Sequence, residues 1–207
     1  MKKGFLLLAV LVTLAVAVSA SPAQAQDSKF KIFGAFAYVS PLSDDNITFG
    51  SVQDSIEASN EAGADFGFEW RMTPLFGLEV DYVDVDQKVK FGGHEIGDTK
   101  LQPLSATLNF HLIHSKVVDF YLGPTFSYVN WGDIDLNQEG EDLSGELGVP
   151  VDKESAWGAS VGIDLNIGEH FAVIGGVRYL QLDLTPENGD GIAIDPLISR
   201  LGVAFRF

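Results

Sequence analysis

The stretch that decides the fold covers residues 61–86 and reads EAGADFGFEWRMTPLFGLEVDYVDVD. Apolar side chains alternate with small or charged ones on both sides of a short turn at 73–75. Because successive side chains of a strand point to opposite faces, each half reads as a strand with one apolar and one charged face. Such a hairpin fits a soluble β-sandwich, which buries the apolar face, or a membrane barrel, which turns that face to lipid.

The alternation inverts after Tyr82, where carboxylates take the apolar face and valines take the charged face. The residues concerned are Val83, Asp84, Val85 and Asp86. A second inversion follows Tyr179, at Gln181 and Asp183. Either the strands continue beyond the bilayer into water, or a β-bulge resets the register. We favour continuation, because both inversions follow a tyrosine suited to the aromatic belt at a membrane surface.

The first 25 residues predict a secretory signal peptide. Lys2 and Lys3 precede an apolar run over 5–18, and Ala23-Gln24-Ala25 forms an A-x-A cleavage site. The short apolar run and the cleavage site disfavour a membrane anchor, which is the alternative. Cleavage would leave 26–207 as a single barrel domain. Its formal net charge would be −18 in place of −16, because the two lysines leave and no acidic residue does.

Composition excludes several classes of function. The strong negative charge argues against a nucleic-acid partner, since no basic stripe exists to neutralise phosphates. The chain has no cysteine, so disulfides do not stabilise it. No residues or spacings indicate a metal site, a cofactor or an enzyme. The acidic segment at 133–144 begins like a calcium loop but lacks the required glycine and glutamate.

Eight alternating strands follow one another in the rest of the chain, and the connections between them are alternately long and short. We predict the strands at about 29–39, 61–72, 76–86, 101–112, 118–131, 155–167, 171–183 and 194–207. The long connections are 40–60, 87–100, 132–154 and 184–193. In the second of these, Lys88 and Lys90 still alternate with Val89 and Phe91, a pattern that also fits a continued third strand. Outer-membrane barrels have even strand numbers, short periplasmic turns and longer external loops. The sequence therefore predicts an eight-stranded antiparallel up-and-down transmembrane β-barrel.

Short motifs in the middle and the last third of the chain carry a family likeness. They are QPL at 102–104, YLG at 121–123, KESAWGA at 153–159, DP at 195–196 and FRF at 205–207. In their order and spacing the sequence resembles the OmpW family of small outer-membrane barrels, which includes AlkL. The extra Ala156 departs from the family's K-D-S-W-G-A stretch.

The resemblance implies a narrow lumen that admits small hydrophobic molecules and releases them sideways through the barrel wall. Inward-facing apolar residues would then line the outer half of the lumen: Val39, Val83, Val85, Val129, Trp131, Leu180, Leu182 and Ile198. Pro124 lacks a ladder donor, so it predicts a local bulge and would mark the lateral opening. The other interpretation is that these residues only fill a small barrel.

Asp81 and Arg178 depart from the family pattern, in which bulky apolar side chains would occupy the middle of those strands. With Glu69 and Arg200 they would form a gate or plug of the lumen. This plug is either the floor of an apolar vestibule or the centre of a closed structural barrel. Two functions follow. One is a porin-like channel for passive uptake of small hydrophobic molecules, and the other is a plugged structural or surface-interaction barrel of receptor or adhesion type.

The expected location is the outer membrane of a Gram-negative bacterium. The expected partners are outer-membrane lipid, lipopolysaccharide and a small hydrophobic solute. The terminal Phe207 resembles the signal by which outer-membrane barrels meet their assembly machinery.

Overall fold

The computed structural model of the chain describes residues 29–42, 45–49, 52–91, 94–132, 134–136, 148–149, 154–184, 192–193 and 195–207. The predicted signal peptide lies outside these residues. The long strands are β1 (Phe30–Pro41), β4 (Glu61–Arg71), β5 (Phe76–Phe91), β6 (His94–His114), β7 (Val118–Trp131), β10 (Glu154–Ile167), β11 (Phe171–Gln181) and β14 (Pro196–Arg206). The short strands are β2 (Asp45–Phe49), β3 (Val52–Ala58), β8 (Ile134–Leu136), β9 (Gly148–Val149), β12 (Asp183–Leu184) and β13 (Ile192–Ala193). Within the described ranges, no helix has the length and apolar character needed to cross a membrane.

The long strands form a closed antiparallel barrel. Each pairs with its neighbours in the order β1, β4, β5, β6, β7, β10, β11, β14, and β14 pairs back onto β1. The closing pair aligns Ile32 with Phe205 and Ser40 with Leu197. Closure gives the backbone groups of every strand a hydrogen-bonded neighbour, which a bilayer requires. The predicted eight-stranded antiparallel barrel is confirmed.

Short turns join the long strands at one end. In the turn between β4 and β5, the Thr73 hydroxyl accepts from the amides of Leu75 (3.2 Å) and Phe76 (3.0 Å). The Ser115 hydroxyl does the same in the turn between β6 and β7, where it accepts from the amide of Val118 at 2.9 Å. Gly168, with φ of 71°, supplies the left-handed conformation between β10 and β11. Short turns mark this end as periplasmic.

The opposite ends of β5 and β6 extend further than the sequence predicts. The segment 87–100, predicted as a long loop, is mostly strand and forms the far end of the β5–β6 hairpin. Strand β3 adds to β5, β2 adds to β3, and β8 adds to β6. Continuation of the third strand to Phe91 is confirmed, whereas the early start of β6 at His94 was not predicted. Polar strands are stable in water once a neighbour satisfies their backbone. A hydrogen bond from Lys88 to Glu95 (2.9 Å) crosses this hairpin and raises the pKa of Lys88.

The strand register does not shift at either inversion. Phe66 lies opposite Tyr82 and Ala64 lies opposite Asp84 in the same register. Residues 157–159 of β10 also pair with 179–181 of β11 in one register. The bulge explanation is therefore wrong, and the strands continue with Asp84 exposed and Val83 buried. The side chain of Asp183 lies outside the described part of the structure.

Pro124 faces outward in β7 without forming the predicted bulge. Strand β7 keeps one register against β10 across Pro124, so that prediction is wrong. Against β6, the pairing stops at Thr125 and resumes at Leu122 in an unchanged register. The missing amide proton leaves a gap in the ladder instead of adding a residue. The register shift in β6 lies between His111 and Ile113.

The position of the bilayer edge can be tested on β11, where Val177 and Gln181 face outward on opposite sides of Tyr179. Val177→Arg places a guanidinium among lipid tails and should lower the free energy of unfolding by about 2 kcal/mol. Gln181→Arg places it in water and should change this free energy by less than about 1 kcal/mol. The measurement is reversible denaturant unfolding of variants refolded in phospholipid vesicles. Equal losses would contradict this placement of the bilayer.

Candidate functional site in the barrel lumen

Aliphatic side chains fill the outer half of the lumen. We name this group the aliphatic cluster; it consists of Ala37, Val39, Val83, Val85, Leu101, Val129, Ala156, Leu180, Leu182 and Ile198. Each side chain is at most 3% exposed. The outer lumen is therefore packed like a protein core, and a molecule that enters it must displace side chains.

Most residues predicted to line the path lie in the aliphatic cluster. These are Val39, Val83, Val85, Val129, Leu180, Leu182 and Ile198. The side chain of Trp131 lies outside the described part of the structure. Sequence reasoning did not name Leu101, the first residue of a predicted strand, where alternation cannot yet be read. The structure shows where these residues lie, and their role as a path remains a prediction.

Below the aliphatic cluster, paired charges cross the lumen. We name Asp65, Glu79, Asp81, Arg178 and Arg200 the floor. Arg178 donates to both carboxylate oxygens of Asp81, at 2.6 Å from Nη1 and 2.5 Å from Nη2. Arg200 Nη2 lies 2.8 Å from Glu79 Oε1. Bidentate pairing is the strongest geometry available to a buried guanidinium and carboxylate.

The floor joins four strands across the barrel. Asp65 lies on β4, Glu79 and Asp81 on β5, Arg178 on β11 and Arg200 on β14. All are shielded from solvent, with side-chain exposures from 0% to 8%. A buried charge is tolerated only when its partners replace the lost water. These ion pairs therefore hold opposite walls together and block a straight aqueous route.

Glu69, predicted as part of the plug, lies in a second charged layer nearer the short turns. It pairs with Lys31, whose ammonium also lies 3.1 Å from Asp164 Oδ2. Tyr121 donates its hydroxyl to Asp164 Oδ1 at 2.9 Å, and Arg206 Nη2 donates to Oδ2 at 2.6 Å. Glu69 thus seals the lumen below the floor and does not contact the Asp81–Arg178 pair.

His111 completes this second layer. Its Nε2 lies 2.8 Å from Glu69 Oε1 and its Nδ1 lies 2.8 Å from Asp119 Oδ1. Arg71 also pairs with Asp119, at the edge of the layer. Sequence reasoning missed these contacts, although each residue faces inward in the alternation. Among the described residues, no cluster of histidines and carboxylates has the arrangement of a metal site.

The hydrogen-bond ladder between β6 and β7 is interrupted beside Pro124, but the two strands stay in close contact there. Gly123 approaches β6 so closely that a Cβ atom there would lie 1.9 Å from the carbonyl oxygen of Leu108. Only glycine fits such an approach. Just above it, the hydroxyls of Thr107 and Thr125 join β6 to β7 at 2.8 Å on the lumen side. The lateral opening at Pro124 therefore stays a prediction.

A family comparison agrees with this architecture. The family model described as "Outer membrane protein beta-barrel domain" matches residues 8–207. The chain belongs to this family. No curated protein sequence matches the chain.

Solved structures of outer-membrane barrels have the same fold. OprG from Pseudomonas aeruginosa is 18% identical with a TM-score of 0.75, over 88% of this chain and 97% of that one. AlkL in lipid bilayers is 17% identical with a TM-score of 0.63, over 91% and 94%. OmpW from E. coli is 21% identical with a TM-score of 0.55, over 87% and 98%. The expected resemblance to OmpW-type barrels is confirmed at the level of the fold.

The Asp81–Arg178 pair can be tested by removing one or both charges. Asp81→Asn leaves Arg178 without its bidentate partner and should lower the free energy of unfolding by about 3–5 kcal/mol. Asp81→Asn combined with Arg178→Met should cost less than the sum of the single changes, because no buried charge remains unpaired. The measurement is denaturant unfolding in vesicles.

The control is Asp86→Asn, whose carboxylate is exposed and lies 3.8 Å from Lys100. It should change the free energy by at most about 1 kcal/mol. Additive losses in the double variant would show that the pair is not coupled.

Proposed function

We propose that this protein is a porin-like channel for passive uptake of small hydrophobic molecules across the outer membrane. The observation that carries the proposal is the aliphatic cluster, which lies at the outer end of the lumen above a charged floor. A polar lipopolysaccharide layer slows apolar solutes, whereas displaceable aliphatic side chains offer them a favourable environment. A polar solute would lose its hydration in the aliphatic cluster, whose side chains offer no hydrogen bonds in return.

The floor makes sideways release the favoured route of exit. A solute that reaches the floor meets ion pairs between opposite walls, and breaking them would leave buried charges unpaired. Passage through the wall instead separates two strands and delivers an apolar molecule directly to lipid. The gap in the β6–β7 ladder opposite Pro124 supports an exit there, because fewer backbone hydrogen bonds need to break.

Another part of the wall serves as a comparison. An apolar groove of about 650 Å³ follows the wall mainly over β10, β11, β14 and β1, around Val161, Gly175, Leu201 and Phe36. Pairing between β10 and β11 is uninterrupted there, from Trp157 to Ile167. We therefore place the exit at β6–β7 and not at this groove.

We also propose how the chain reaches its place. The segment 1–25 would act as a cleaved export signal to the outer membrane of a Gram-negative bacterium. Lipid and lipopolysaccharide would surround the barrel. Phe207 follows the last strand, with its amide bonded to the carbonyl of Phe30 at 3.0 Å. It would contact the assembly machinery before the barrel closes.

A plugged structural or surface-interaction barrel is the alternative function. The tight packing of the aliphatic cluster and the ion-paired floor favour it, since neither leaves an open conduit. In that case the strands beyond the bilayer would meet partners, and the lumen would only stabilise the fold.

Uptake separates the two functions. Cells that produce the protein should take up a small apolar compound such as octane faster than cells that lack it. Val83→Asp would place an unpaired carboxylate in the aliphatic cluster and should abolish the gain. Surface amounts of folded protein must be matched by heat-modifiability on gels. Equal uptake with and without the protein would leave the structural function as the explanation.

The exit can be mapped with disulfides, because the natural chain has no cysteine. Ala106 lies opposite Phe126 across β6 and β7, and Ala106→Cys with Phe126→Cys would lock that seam. We expect the oxidised variant to lose most of the uptake gain and to recover it on reduction.

The matched control locks the wall at the apolar groove. Leu165 lies opposite Val173, and Leu165→Cys with Val173→Cys should leave uptake unchanged in both redox states. Loss of uptake in this control alone would move the exit to β10–β11. Unchanged uptake in both variants would exclude sideways release at these two seams while leaving uptake itself in place.

A further inference from the structure

A small cavity lies where the aliphatic cluster meets the floor. Its volume is about 10 Å³, which is the room that one water-sized group needs. The residues that line it are Asp65, Ser160, Val161, Val177, Arg178, Ile198 and Arg200. Ile198 belongs to the aliphatic cluster and also lines the cavity, so the two adjoin.

Polar atoms without hydrogen-bond partners surround this cavity. Among the described protein groups, none forms a hydrogen bond with Asp65 Oδ1, Ser160 Oγ, Arg178 Nε or Arg200 Nη1. Arg200 Nη1 lies 3.6 Å from Asp65 Oδ2, which is beyond hydrogen-bond distance. The side chains are more than nine-tenths buried. A buried polar atom without a partner is costly, so this concentration at one cavity indicates a ligand.

The donor pattern suits an oxygen atom. Asp81 occupies both terminal nitrogens of Arg178, which leaves only its Nε–H to donate. Glu79 occupies one terminal nitrogen of Arg200, which leaves Nη1. An oxygen can accept from both guanidinium groups, and a hydroxyl hydrogen can go to Asp65 Oδ1 or Ser160 Oγ.

The charges and the size of the cavity exclude a carboxylate. The floor contains two guanidinium groups, of Arg178 and Arg200, and the carboxylates of Asp65, Glu79 and Asp81. An added anion would find no free cation, because Asp81 and Glu79 already pair with Arg178 and Arg200. A volume of about 10 Å³ also holds one oxygen and not two.

We propose that this cavity binds the single hydroxyl of a small aliphatic alcohol whose hydrocarbon body lies in the aliphatic cluster. The proposal rests on the proposed uptake function and makes neutral molecules with one terminal hydroxyl its preferred solutes, ahead of pure hydrocarbons. A pure hydrocarbon leaves the polar atoms unpartnered, and a carboxylate adds the wrong charge. Ser160 lies opposite Gly123, next to Pro124, so the bound head group is held close to the proposed exit.

Binding can be followed by NMR on the full barrel refolded in detergent micelles and labelled with ¹⁵N and ¹³C. The probes are 1-hexanol, hexane and hexanoate at equal micelle concentration. Shifts of the Ile198 methyl groups report a molecule in the aliphatic cluster, and shifts of Arg178 Nε–H report the cavity. We expect 1-hexanol to shift both signals saturably and to bind about tenfold more tightly than hexane, since hydrogen bonds to charged groups reach this magnitude.

Two serine variants make the test specific. Ser160→Ala removes one polar group of the cavity without touching the ion pairs and should weaken 1-hexanol binding about fivefold, the effect of a single hydrogen bond. Hexane binding should be unchanged. Ser127→Ala is the control: its hydroxyl is also buried, is bonded to Ser105 at 2.8 Å, and does not line the cavity.

The outcomes separate this inference from the uptake proposal. If 1-hexanol and hexane shift Ile198 with equal affinity, or if hexanoate binds more tightly than 1-hexanol, the alcohol site is wrong and uptake stands. Shifts at Ile198 without shifts at Arg178 would leave the cavity to a water molecule and also overturn the site. If no probe shifts Ile198, both proposals fail.

Discussion

The lumen of an eight-stranded barrel is too narrow for bulk water, so every inward charge must be satisfied by another inward side chain. This constraint organises the interior of the protein. Arg178 uses its two terminal nitrogens on Asp81, and Lys31 is placed between Glu69 and Asp164. Apolar side chains are then left to fill the outer half. The lumen is therefore asymmetric, with aliphatic side chains at its outer end and charged side chains toward the short turns.

Much of this architecture can be read from the sequence because alternation has a period of two. The long strands, the inward valines at 83 and 85, and the proximity of Asp81 to Arg178 all follow from that period and from closure. The inversion after Tyr82 was also readable, because a continuous strand that leaves the bilayer exchanges the environments of its faces. Each of these features depends on which face of the sheet a residue occupies. That face follows from the residue's position in the local alternation, so it can be read from the sequence.

Other features depend on three-dimensional relations that alternation does not encode. Pro124 was expected to cause a bulge. The strand instead keeps its register, and the pairing between β6 and β7 is interrupted at Pro124. Glu69 was expected in one plug with Asp81 and Arg178, but its height along the tilted strand puts it in a second layer with Lys31. The cavity at Ser160 was not foreseen, because it depends on which guanidinium nitrogens remain unpaired. The short strands β2, β3 and β8 beyond the bilayer were missed because they have no clear alternation. They form only because a neighbouring strand satisfies their backbone.

The pairing of β1 with β14 has a consequence for how the barrel forms. These strands lie at opposite ends of the folded domain, so their contacts have the largest sequence separation in the molecule, and such contacts form late. Until they form, Lys31 keeps Glu69, which lies directly opposite it on β4, but lacks Asp164 on β10. A partly assembled sheet would then hold this charged pair on an open face, without the rest of the charged layer. The cost of those charges in lipid is removed when the seam closes around them.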